Sequence, residues 1–120
     1  MKYNIGDKFY SAIYRICQTD SDTFMLDYFV KEVTVKRIVI TKSYIDAESN
    51  IIYDLSNGQQ LREHENLEKL GLFLERAKAR EFAREQAIML GKNEIRDYES
   101  DIREKQQRIK ELEQSIKEIQ

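Results

Sequence analysis

A chain of 120 residues, 14.3 kDa and net charge −2 has room for one small domain plus an appendage and excludes two full domains. Residues 1–62 carry eight Lys/Arg against eight Asp/Glu, and residues 63–120 carry twelve against fourteen, which excludes attraction to phosphate backbones by net charge alone. No apolar run approaches the roughly 20 residues that cross a bilayer, and the N-terminal MKYNIGDKFY lacks the apolar stretch of a secretory signal.

The single cysteine, Cys17, has no partner for an internal disulfide, and the single histidine, His64, has no ligand spacing with it that suits a metal. A cytoplasmic, reducing location without a membrane partner, metal or cofactor is therefore expected. Nine of the twelve aromatic residues precede residue 54, which places the core in the first half of the chain.

The first predicted strand holds Tyr10, Ala12, Tyr14 and Ile16 on one face. In the second, Phe24, Leu26, Tyr28 and Val30 alternate with polar Asp27 and Lys31. A third strand spans Val33 to Thr41 and changes phase: Val33 and Val35 share one parity, Ile38 and Ile40 the other. A bulge or bend at Lys36-Arg37 would restore a single buried face. Ile51, Tyr53 and Leu55 form a fourth strand, and Asn57-Gly58 signals a hairpin of the type I′ kind into a short fifth strand at Gln59–Arg62. Thr19-Asp20-Ser21-Asp22 and Asp46-Ala47-Glu48-Ser49-Asn50 read as polar turns.

These features predict an α+β fold: residues 1–62 as a small five-stranded SH3-like barrel or an open meander, then helix. From Leu67 the period becomes helical, with Leu67, Leu70, Phe73, Leu74 and Ala77, then Ala83, Ala87, Ile88 and Leu90, so residues 63–91 are expected to pack a helix on the barrel. Gly91 is the sole breaker after Leu72. Either the helix ends there and Asn93 caps another, or it runs through at a cost of about 1 kcal/mol relative to alanine.

Residues 92–120 carry a heptad seam. With Ile95 at position a, the a positions are Ile95, Ile102, Ile109 and Ile116, and the d positions are Tyr98, Lys105, Leu112 and Ile119. Seven of the eight are apolar, a pattern that calls for a second helix. β-Branched residues at a favour a parallel dimer, and Lys105 is the polar seam residue that sets register or partner. In a parallel pair Arg108 faces the partner's Glu113 favourably, whereas Glu94 faces the partner's Glu99 unfavourably. An antiparallel pair and a hairpin folded back at Gly91 are therefore alternatives.

No catalytic set is found. Cys17 lies within a strand without a neighbouring base, His64 stands among charged residues at a helix entrance, and Asp20 with Asp22 lacks the glycine and closing glutamate of a calcium loop. Arg76, Lys78, Arg80 and Arg84 make a basic stripe that can contact phosphates or an acidic protein, although Glu81 and Glu85 interleave it. The reading is a non-enzymatic binding protein that assembles as a homo-oligomer, a dimer first, and presents its barrel to a protein target. The alternative is a nucleic-acid-binding oligomer that uses the stripe and the barrel aromatics.

Over residues 5–90 the order of features resembles small proteins encoded by phages and prophages of Gram-positive bacteria. The matching pieces are Gly6-Asp7-Lys8-Phe9-Tyr10, Val33-Thr34-Val35-Lys36-Arg37-Ile38, Ile51-Ile52-Tyr53-Asp54-Leu55 with Gly58, and Leu72-Phe73 with Ala77 and Ala79. Glu75 replaces the capping Thr or Ser of that frame, and the long tail is not part of it. The resemblance implies a small barrel with a helix and a phage origin and names no activity; for a phage-encoded binding protein the expected target is a host or defence factor.

Overall fold

The computed structural model describes residues 1–21, 23–42 and 49–120, so Asp22, Tyr44 and most of the expected turn at 46–50 lie outside the described residues. Its backbone begins with a long antiparallel hairpin. Strand β1 (Lys8–Gln18) pairs along its whole length with β2 (Phe24–Lys42), with Phe9 opposite Val33 and Gln18 opposite Phe24. Thr19 closes the turn, its N–H donating to the carbonyl of Thr23 at 2.8 Å. The two strands expected at 24–30 and 33–41 are thus one continuous strand. Lys31-Glu32 interrupts the alternation but carries no glycine, proline or other turn residue, and it stays extended, Lys31 opposite Ser11 and Glu32 opposite Tyr10 on β1.

The phase change within β2 is a bulge. Val35 pairs with Leu55 and Arg37 with Asp54, leaving Lys36 as the extra residue. Val33 and Val35 before the bulge and Ile38 after it consequently reach the same core, where Ile38 is opposite Tyr53.

Strand β3 (Ser49–Leu55) turns at Ser56-Asn57-Gly58 into β4 (Gln60–Arg62). The Leu55 N–H bonds to the Gln59 carbonyl at 2.9 Å and Gly58 N–H to the Leu55 carbonyl at 3.0 Å, with Gly58 at φ +88°. This is a three-residue loop rather than the expected two-residue type I′ turn, and Gly58 supplies a left-handed step.

The segment 63–75 is not the start of a long helix. A single 3₁₀ turn at Leu67–Leu70 is capped by the Asn66 side chain, which accepts from the Glu68 N–H at 3.0 Å, and ends at Gly71 with φ +70°. Leu72–Phe73 then forms β5, antiparallel to β1 with Ser11 opposite Leu72 and Tyr10 opposite Phe73. Leu72 is fully buried and Phe73 faces the opposite side of the sheet. The spacing of Leu67, Leu70 and Phe73 mimics a helix, but tertiary pairing and Gly71 override it.

The five strands make an open antiparallel sheet in the order β4-β3-β2-β1-β5. The SH3-like barrel is not formed: β4 and β5 remain opposite edges, and the open arrangement holds. On one face Phe9, Val33, Val35, Tyr53, Leu55, Leu61 and Leu72 form the core. Tyr53 fixes the N-terminal segment to it. Its hydroxyl donates to Glu63 and accepts from the Lys2 N–H at 3.1 Å, while Glu63 Oε1 accepts from the same N–H at 2.8 Å.

Helix α1 (Arg76–Ile119) lies along the other face of the β1–β2 hairpin. Ala79, Ala83 and Ala87 are buried at four-residue intervals, and Phe82 meets Phe73 and Tyr14 with ring centroids 5.1 and 6.5 Å apart. Gly91 is the fourth member of this row of small residues. A Cβ there would lie 2.8 Å from Leu26 Cδ1, so the missing side chain lets the hairpin approach the helix closely. Helix continuity through Gly91 removes the fold-back hairpin and the Asn93 cap.

Candidate interaction surface: the projecting seam of α1

At 1.5 Å per residue α1 is about 66 Å long, and the molecule extends 80 Å along its longest axis. From Ile95 to Gln120 every residue is exposed. The helix therefore leaves the sheet just past Gly91 and projects alone.

Its seam residues lie together as the heptad requires. Ile95, Tyr98, Ile102, Ile109, Leu112, Ile116 and Ile119 are all at least half exposed, from 50% for Tyr98 to 84% for Ile119. Fully burying one such Ile or Leu contributes about 1.5–3 kcal/mol, whereas an isolated helix of this length is marginal in water. Lys105 is exposed in the same stripe.

The other faces of the tail are satisfied within the helix. Arg108 donates to Glu104 at 2.7 Å, Gln107 to Glu111 at 3.4 Å and Gln114 to Glu118 at 3.4 Å, all one turn apart. Glu94, one turn before Tyr98, holds its phenol above the usual value by hydrogen bonding and by its negative charge. The polar faces are thus at home in water, and the apolar stripe is the part that lacks a covering.

Half of the basic stripe is answered by carboxylates. Arg76 lies 3.7 Å from Glu32 and stacks over the Tyr10 ring at 5.2 Å, and Lys78 is 3.8 Å from Glu75. Arg80 and Arg84 are exposed further along the helix. Cys17 is half-buried on the hairpin face away from α1, opposite Met25, and His64 is exposed in the turn before the 3₁₀ helix.

Two features escaped the sequence reading. The outer face of the hairpin carries Ile13, Met25 and exposed Phe29 beside an Arg15–Asp27 ion pair at 3.3 Å, with Arg15 over the Phe29 ring at 5.3 Å. The hairpin end also presents exposed Phe24 and Leu26 next to the base of the seam. The four-residue row Ala79, Ala83, Ala87 and Gly91 was the legible signal of a close helix contact; nothing local showed that Leu26 would fill it.

No helix among the described residues is long and apolar enough to cross a membrane. Comparison of the chain with family models, with curated proteins and with solved structures gave no match, so the projecting seam itself is the guide to function.

Proposed function

We infer that this chain is a non-catalytic binding protein that oligomerises through the helical seam at Ile95–Ile119 and presents its sheet to a protein target. One observation carries the reading: seven apolar side chains stand exposed in a single stripe on a helix that has left its own domain. Apolar surface of that extent and regularity gains free energy only when another helix covers it.

The outer face of the β1–β2 hairpin is the favoured surface for the target. Phe29, Met25 and Ile13 give apolar contact area beside the charged Arg15 and Asp27, a mixture suited to a protein interface. In keeping with the resemblance to phage proteins, the target proposed is a host or defence factor. Binding of nucleic acid by Arg76, Lys78, Arg80 and Arg84 has less support, because Glu32 and Glu75 already answer two of the four cations.

Light scattering tests the assembly. The full chain is expected at no less than twice the 14.3 kDa of one copy, and Ile102→Asn with Ile109→Asn is expected to reduce it to monomer. A monomeric full chain at micromolar concentration would remove the reading.

A further inference from the structure

We propose that the occupant of the seam is a second copy of this chain lying antiparallel, with the two-fold axis crossing between Arg103 and Glu104. The proposal rests on the oligomeric reading above and adds orientation and register to it.

The flanking charges discriminate. In a parallel pair in register, Glu94 faces the partner's Glu99, Lys105 faces the partner's Lys105, and only Arg108 with the partner's Glu113 attracts. Antiparallel helices instead bring g positions against g and e against e. About the chosen axis, Asp101 faces the partner's Arg108 and Lys92 faces the partner's Glu113, each contact occurring twice by symmetry. Glu94 then meets the partner's Ser115, and Glu99 meets the partner's Gln106, so no like charges are opposed.

Moving the pairing by one heptad either way loses this match. One shift puts Arg108 against the partner's Arg108 and Glu99 against the partner's Glu113. The other opposes the two copies of Asp101 and the two copies of Glu99.

The apolar layers close in the same register. Ile95 lies level with the partner's Leu112, Tyr98 with the partner's Ile109, and Ile102 with the partner's Lys105. Lys105 is thus spared its twin and lies beside Asp101 of the partner subunit, where its ammonium can reach the edge of the seam.

The structure extends the pairing beyond the tail. The last two seam residues, Ile116 and Ile119, fall level with the partner's Gly91 and the partner's Ile88. In each copy Ile88 is exposed, Gly91 is roofed by Leu26, and Phe24 is exposed one alternate position further along the strand. Ile119 of one helix therefore comes level with the exposed Ile88 of the other, and Ile116 meets Leu26, which already covers Gly91. In a parallel pair Ile119 meets its twin and Ile88 lacks this contact.

Cross-linking in a Cys17→Ser background tests the proposal. Ile95→Cys and Leu112→Cys are made as separate full-length chains, oxidised alone and as an equimolar mixture. The expected result is a disulfide-linked dimer in the mixture and none from either chain alone, since only an a–d pair of the antiparallel layers comes within disulfide reach. Like-with-like cross-links in a dimeric protein would overturn the antiparallel pairing while leaving oligomerisation intact. A monomer by light scattering would remove both.

A charge exchange gives the second readout, by sedimentation equilibrium. Asp101→Arg alone should raise the dissociation constant roughly tenfold by turning two attractions into repulsions. Asp101→Arg with Arg108→Asp should restore it, whereas in a parallel pair Arg108→Asp meets Glu113 and worsens it. Absence of rescue overturns the register.

Discussion

Gly91 links the helix to the hairpin, and Gly91→Ala is a quantitative test of that contact. In a solvated helix interior the substitution stabilises by about 1 kcal/mol. Here the new Cβ would lie 2.8, 3.3 and 3.5 Å from Leu26 Cδ1, Cδ2 and Cγ, the first of which cannot stand. Leu26 is 42% exposed and can swing outward, at about 0.5–1.5 kcal/mol if it leaves its rotamer well. The two terms offset, and the net change should lie within about 0.5 kcal/mol of zero.

In a Leu26→Ala background the obstruction is gone. Gly91→Ala should then stabilise by the full ~1 kcal/mol. Urea denaturation followed by helical circular dichroism, at one fixed protein concentration, measures all four chains. A coupling of about 1 kcal/mol is expected; additivity within about 0.3 kcal/mol would show that Leu26 does not rest on Gly91.

Two further predictions concern the sheet. The Glu63 carboxyl is held below its usual value mainly by the Tyr53 hydroxyl, with smaller help from the Lys2 N–H and nearby positive charge against the opposing effect of partial burial. A lowered folded value means stability that is present above the unfolded value near 4.5 and lost as pH falls through the folded one. The difference in urea midpoint between wild type and Glu63→Gln should therefore shrink from pH 7 to pH 3, and a constant difference would sink the assignment. Leu61 is fully buried on the short strand β4, so Leu61→Ala should destabilise by about 2–5 kcal/mol. A loss under about 1 kcal/mol in the same assay would mean that β4 does not close the core.

Much of the fold was legible because its signals are local. The bulge at Lys36 follows from the parity switch between Val35 and Ile38, since without it Ile38 would face away from the core that holds Val33 and Val35. The hairpin at Gly58 follows from the one residue that tolerates φ +88°. By contrast, Leu67, Leu70 and Phe73 satisfy helical spacing by coincidence. Leu72 is buried with Phe9 and its neighbours in the core, and Phe73 pairs with Tyr10 on β1, contacts between distant parts of the chain that leave no periodic trace.

By itself the sequence determined the seam, because a heptad is a repeat within one helix and needs no tertiary information to be read. It also determined the strands within 8–18, 24–42 and 49–62, through period-two alternation. Only the tertiary structure decided that the sheet stays open and that α1 passes unbroken through Gly91. Gly91 is compatible with either a helix end or a close contact, and Leu26, sixty-five residues away in sequence, settles it by occupying the space of the absent side chain. That contact sets where the helix leaves the domain and hence which apolar residues stand free.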